Sequence, residues 1–268
     1  MSAAAALATR RAHTNRWLER GLPVAAVALV LIAWQWSGLY LNPILISTPT
    51  EVAQDLVQLV ARGVIWEPLF ESLEEVVIGG VTGIVAGILI GVLMGRYSLV
   101  EKVLSPFVNF LNATPLVVII PLVIIWLGIS QNARLLFIFL ITLWPILLNT
   151  LAGMRNVNRG YVEVASAFGL SELQMLWKIS LPASVPYILA GARVAAGLAI
   201  IGMIVSEMEV SLTGLGYFLI TFGNSFLTGE LLAVVFISSM FGVGNVLLLK
   251  WVQATFFPWI IGSAARQR

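Results

Sequence analysis

The chain has 268 residues, of which 59% are hydrophobic and only 10% charged, with a formal net charge of +2 and no cysteine. Soluble domains carry about 25% charged residues, so a water-soluble globular protein is excluded. The missing cysteines exclude a disulfide framework, a thiolate metal site and thiol redox chemistry.

Residues 1–21 form a basic tail, in which the lone histidine, His13, is read as a solvated surface residue rather than a ligand. The apolar run behind the tail imitates a signal peptide. It continues through Trp34, Gln35, Trp36 and Tyr40 without a small-residue cleavage site. This is the pattern of a retained helix with an aromatic end at the membrane interface. Six apolar runs approach or exceed the roughly 20 residues that cross a bilayer core: Leu22–Leu39, Leu73–Met94, Val103–Leu127, Leu135–Leu151, Val185–Val205 and Leu231–Trp251. Backbone polar groups in hydrocarbon must be bonded within their own segment, and the alternation of a barrel is missing, so the runs are predicted to be helices. The expected division is a tail over 1–21 and a single transmembrane domain over 22–268.

In the second run Gly79, Gly83, Gly87, Gly91 and Gly95 recur every four residues. Such a stripe lets another backbone approach closely in lipid, either as a static helix pair or as a moving interface. Pro115 and Pro121 in the third run and Pro145 in the fourth remove backbone donors, which predicts kinks. Asn112 and Thr114, beside Pro115, are candidates for the wall of a pathway.

Between the fourth and fifth runs the chain turns surface-like. Tyr161, Val164, Ala165 and Phe168 share one face of a short helix, with Glu163 off that face. Gly169 can take the positive φ that ends a helix. Ser171 and Gln174 have capping-box spacing, and Leu173, Leu176 and Trp177 give a second short helix its own apolar stripe. Pro182 and Pro186 are expected to stop that helix and re-aim the chain into the fifth run. The polar side mixes Lys178 with Glu163 and Glu172, which suits a protein partner better than an anionic membrane surface.

In the fifth run Arg193 lies about a third of the way in. It either attracts an anionic substrate or, as is commoner, snorkels or forms a salt bridge. Glu207 and Glu209, at the far end, have two open readings: lining an outer gate, or anchoring the Ser211–Gly216 loop. With a cytoplasmic N-terminus, the inner side holds Arg10, Arg11, Arg16, Arg20, Arg96, Lys102, Arg155, Arg159, Lys178, Lys250, Arg266 and Arg268. Only Arg62 and Arg134 fall outside, so the positive-inside bias places both termini and the surface-like loop in the cytoplasm.

The run Glu163–Gly169 (EVASAFG), followed by Ile179–Pro182 (ISLP), resembles the EAA loop of permease subunits of ABC importers. Ser47–Val52 (STPTEV), Trp144–Thr150 (WPILLNT), Pro186–Ala199 (PYILAGARVAAGLA) and Gly214–Phe218 (GLGYF) are similar to the nitrate/sulfonate/taurine branch. The likeness covers nearly the whole chain from Ile46, with Val164 in place of the first alanine of the pattern. It implies a type I importer permease fold, all-α, of about six transmembrane helices in a bacterial inner membrane, with a coupling loop at about 155–182. In that loop Tyr161, Glu163, Ala165, Phe168, Gly169, Leu173, Leu181 and Pro182 would meet a separate ATPase, present in two copies, which binds ATP and Mg. A second permease copy, an extracytoplasmic solute-binding protein and membrane lipid are the other implied partners; nucleic acid is not one. Arg193, Glu207, Asn112 and Thr114 stand as pathway candidates.

The chain lacks a G-x-x-x-x-G-K-[ST] phosphate loop and the zinc-hydrolase and serine-hydrolase motifs. The expectation is therefore a transport subunit with no catalytic or metal residues and no cofactor of its own. The resemblance points to small anions such as nitrate, sulfonates or taurine as cargo. An ion-coupled secondary transporter is the alternative, which ATP dependence discriminates; a membrane scaffold is the other, discriminated by substrate uptake.

Overall fold

The computed structural model describes residues 3–42 and 45–258, with side chains from residue 21 on. The side chains of His13 and the N-terminal arginines, together with Arg266 and Arg268, lie outside the described residues. Every regular element described is helical: α1 (Ala3–Tyr40), α2 (Pro49–Ala61), α3 (Trp66–Arg96), α4 (Ser98–Ala113), a 3₁₀ turn (Leu116–Ile119), α5 (Ile120–Leu127), α6 (Gln131–Arg155), α7 (Arg159–Ala167), α8 (Glu172–Met175), a π turn (Leu176–Ser180), α9 (Leu181–Val210), α10 (Leu215–Asn224) and α11 (Thr228–Phe256). Among the described residues five helices are long and apolar enough to cross a membrane, and the bent pair α4 and α5 brings the number to six. The helix of the first run starts well before Leu22, at Ala3, and passes through Pro23.

The residues group into two compact units. In the first, α1 and α2 are joined by specific polar contacts. The indole of Trp34 donates to Ser47 O at 3.0 Å, and the Gln35 amide donates to Thr50 Oγ1 at 3.1 Å. A capping box between Thr48 and Glu51, with Pro49 in the first turn, starts α2. Phe222–Val234 belongs to this unit as well. There burial, and then the charges of Glu230 and Glu51, raise the Asp55 carboxyl above its ordinary range.

The second unit is built on α3, α6 and α9. The glycine stripe of α3 is a groove for a matching ridge on α6. A Cβ on Gly79 would lie 2.8 Å from Ile138 Cβ, and one on Gly91 would lie 2.7 Å from Thr150 Cβ. Gly83, Gly87 and Gly95 face Thr142, Ile146 and Met154 more closely still. Both stripes therefore advance four residues at a time, ridge into groove. On the other side of α6, Gly191 and Gly202 of α9 bring its backbone against Asn149 and Ile141. Ile146, Ala195 and Met203 are fully enclosed between these helices.

The prolines do not all act as expected. At Thr114–Pro115 the third span bends by 92°, with Thr114 ending α4 and Pro115 opening the 3₁₀ turn. Pro121 kinks nothing; it sits in the first turn of α5, where its missing N–H would have no partner anyway. Through Pro145, α6 continues unbroken, packed between α3 and α9. Nor do Pro182 and Pro186 stop a helix, since Glu172–Val210 is one continuous run of 39 residues. Just before Pro182 the run widens into the π turn, where Leu181 N–H bonds to Leu176 O. That extra residue shifts the hydrogen-bond register where a donor is missing.

The two ends of this unit are marked by ion pairs. Arg155, at the end of α6, pairs with Glu101 in the first turn of α4, and Arg96, at the end of α3, pairs with Glu172 of α8 at 2.6 Å. At the start of α6, Arg134 meets Glu75 near the start of α3. Since α4 begins beside the end of α6 and α5 leads into its start, the bent pair traverses the unit from one end to the other. It is a broken span, not a hairpin that returns to its own side.

Candidate functional site

At the end marked by Arg96 and Arg155, α7 begins at an Asn158 cap, whose Oδ1 accepts from Gly160 N–H at 2.8 Å. It closes in a Schellman motif: Gly169 N–H donates to Ser166 O and Leu170 N–H to Ala165 O, with Gly169 at φ 71°. α8 opens on the Ser171–Gln174 capping box, in which Gln174 Oε1 accepts from Ser171 N–H and Ser171 Oγ from Gln174 N–H. These caps are local, so the sequence alone sets the angle between α7 and α8.

The angle leaves a groove lined by Tyr161, Val164, Ala165, Phe168, Leu170, Lys178, Ile179 and Ala183. Its rim is apolar and open: Phe168 is 80% exposed and Tyr161 62%. A contiguous rim of exposed large aromatic side chains marks an interaction surface. Of the residues singled out in sequence, Tyr161, Val164, Ala165, Phe168, Lys178 and Ile179 come together here, with Ala165 packed inward. Glu163 is exposed beside the groove, Leu173 is exposed on α8, and Leu181 and Pro182 fall in the first turn of α9. Leu170 and Ala183 complete the groove and were not singled out. Ile179 and Ala183 are four apart, so a helix continued through the prolines would have put them on one face.

At the opposite end lies a buried polar cluster. Ser72 Oγ donates to Glu207 Oε1 at 2.6 Å, Gly216 N–H donates to Oε2 at 2.7 Å, and Leu215 N–H donates to Ser72 Oγ at 3.1 Å. Thr213 Oγ1 donates to Glu71 Oε2 at 2.6 Å. Gly214 takes φ 96°, and a Cβ there would fall 2.5 Å from Glu207 Cδ. The turn before α10 is thus wrapped around this carboxylate. Of the two readings of Glu207, the structure realises the anchor of the Ser211–Gly216 loop; Glu209 is exposed.

Next to it, Arg134 Nε donates to Glu75 Oε1 at 2.6 Å, and Nη1 donates to Val210 O at 3.4 Å. Arg134 is 8% exposed and Glu75 1%. Arg134 is therefore an interior residue, not one of the outer loop. The signal was present: Glu75 lies four residues before Gly79 and Arg134 four before Ile138, so the pair extends the two facing stripes by one turn.

Asn112 is exposed and Thr114 partly so at the bend, where Thr114 Oγ1 donates to Phe110 O at 3.0 Å. Arg193 bonds not to a carboxylate but to Gln253 of α11.

Residues 83–262 match the family model described as the binding-protein-dependent transport system inner membrane component. The chain is 36% identical to an aliphatic sulfonates transport permease protein of Escherichia coli, over 76% of its own length and 78% of the relative's. It is 30% identical to a nitrate import permease protein of Leptolyngbya laminosa over 92% and 91%. To a taurine transport system permease protein of Escherichia coli it is 26% identical over 89% of each chain. Among solved structures, inward-facing forms of the MetNI methionine ABC transporter match with a TM-score of 0.56 at 18% identity, over 69% of this chain and 94% of theirs, which establishes a common fold.

Proposed function

The chain belongs to the family of binding-protein-dependent transport system inner membrane components, and from that premise we propose that the groove of α7 and α9 is where a separate ATPase docks. The chain is the membrane-spanning permease subunit of an ATP-driven ABC importer, a transport subunit rather than an enzyme. Family membership does not favour ion-coupled transport.

The observation that carries the docking reading is the pair of exposed aromatic rings, Tyr161 and Phe168, on a helix closed at both ends by its own caps. Glu163 stands beside them as a partner for a basic residue of the ATPase. Leu173 lies on α8, while Gly169 sets the bend. ATP and Mg bind the ATPase, in two copies, and the permease pairs with a second copy of itself. Both termini and the groove face the cytoplasm, with residues 1–21 as a tail before a single transmembrane domain, and a solute-binding protein meets the opposite side. The cargo is a small anion of the sulfonate, taurine or nitrate kind, by analogy with the named relatives.

Force entering the groove has a short mechanical route. α8 is continuous with α9 through the π turn and is tied to α3 by Arg96–Glu172. Motion of the groove therefore moves α3 and α9 as a body, with α6 clamped between their glycines. Asn112 and Thr114, at the bend of the third span, stay as candidates for the pathway wall; Glu207 serves the outer turn.

Phe168→Asp tests the docking surface without disturbing the interior, because the ring is 80% exposed. The expected result is a permease of unchanged detergent melting temperature that no longer co-purifies its ATPase. If the ATPase is retained in full, the groove is not its seat.

A further inference from the structure

Arg193 has an unusual partner for an arginine inside a spanning helix. Its side chain is exposed, and its Nη2 donates to Gln253 Oε1 at 2.6 Å. Gln253 is only 6% exposed, and its own Nε2 donates to Leu189 O at 3.4 Å. The amide is thereby clamped between α9 and α11 with its oxygen turned to the guanidinium. A neutral acceptor satisfies one N–H but leaves the charge and the remaining donors of the five-donor fork unanswered. The other described arginines of these long helices, Arg96, Arg134 and Arg155, all pair with carboxylates.

Other features lie along this seam. Lys250 is exposed one turn before Gln253 on α11 and therefore on the same face. Trp251, 61% exposed on another face of α11, marks the headgroup level as an interfacial indole would. On the membrane side of these charges, Gly197, one turn past Arg193 on α9, has open space beside it, and Val246, one turn before Lys250 on α11, is 37% exposed. The seam thus offers two cations and an apolar flank, at the end of the unit that carries the groove.

We infer that this seam between α9 and α11 is a binding site for an anionic phospholipid, whose headgroup phosphate engages Arg193 and Lys250 while its acyl chain lies along the open surface at Gly197 and Val246. A phosphate can take two parallel bonds from the free edge of the guanidinium and cancels its charge. Basic pockets between transmembrane helices select anionic headgroups on the same grounds. A soluble anion could meet the fork but would leave the apolar flank uncovered.

The test uses the full chain in nanodiscs of phosphatidylcholine, with and without phosphatidylglycerol, reading the melting temperature and the lipid retained in native mass spectra. Wild type is expected to melt several degrees higher with phosphatidylglycerol and to keep one bound. Arg193→Gln should lose both effects. Gln253→Glu is isosteric and supplies an internal carboxylate, so it should stay folded, melt alike in both lipids and retain no phosphatidylglycerol. This second variant keeps the test decisive if Arg193→Gln fails to fold. Undiminished retention and shift in Gln253→Glu overturn the site. Glycerol 3-phosphate reproducing the shift in pure phosphatidylcholine would overturn the lipid assignment in favour of a free anion.

Discussion

Without the Arg134 side chain, the Glu75 carboxylate would sit 1% exposed with nothing to balance it, because its other oxygen already meets no donor among the described residues. Breaking a buried pair by removing one member typically costs about 3–5 kcal/mol, whereas replacing both members can be nearly neutral. Arg134→Met is therefore expected to lower the detergent melting temperature sharply. Adding Glu75→Gln to it should restore most of the loss. If the double variant is no better than the single, the pair is not what sets the cost. Glu207 differs in kind: its two oxygens are filled by Ser72 and by the backbone N–H of Gly216. It needs no cation, because these donors satisfy it within the fold. Sequence shows that a carboxylate lies near the end of a span, but one of its donors comes from α3 and the other from a turn whose path depends on Gly214 at φ 96°.

Helix pairing follows from what the glycines leave out. A Cβ on Gly83 would be driven into Thr142 Oγ1 and lie 2.6 Å from Phe139 O, which as backbone cannot step aside. Forcing extra atoms into such a contact costs about 1–3 kcal/mol. Gly197 on α9 has nothing within 4 Å of its would-be Cβ. Gly83→Ala should therefore lower the melting temperature and the yield of folded permease, while Gly197→Ala should be neutral or slightly stabilising. Equal effects would mean that the α3–α6 contact is not the tight one. This pairing was half legible in sequence. The glycine groove stood out by composition, but its ridge, Ile138, Thr142, Ile146, Thr150 and Met154, is made of ordinary residues that only a partner makes conspicuous. The caps of α7 and α8 were legible because capping is settled within five or six residues. Of the prolines only the kink at Pro115 was legible, because proline is harmless in a first turn and bearable in a packed span. Its consequence depends on neighbours: a bend of 92° at Pro115, and no break at Pro145.

For the whole chain, the number of crossings decides which side every loop faces. α4 has 16 residues, about 24 Å at 1.5 Å per residue. It is too short to cross a core of about 30 Å by itself, and α5 is shorter. The ion pairs argue that together they cross, because Glu101 meets the end of α6 while α5 delivers the chain to the end where Arg134 meets Glu75. A hairpin returning to its own side would put the end of α5 beside Glu101 and invert every later loop, including the groove, against the distribution of Lys and Arg. The natural absence of cysteine makes this directly measurable with single cysteines and a membrane-impermeant thiol reagent. Leu99 and Ile129 flank the bent pair and are 73% and 62% exposed. Ile129→Cys is expected to label in intact cells, whereas Leu99→Cys and Ser166→Cys should label only after the inner face is opened. Leu99 and Ile129 reacting from one side would make the bent pair re-entrant and turn the groove away from any cytoplasmic ATPase. Opposite labelling would fix six crossings and place the groove, with Arg96 and Arg155, on the side where ATP is available.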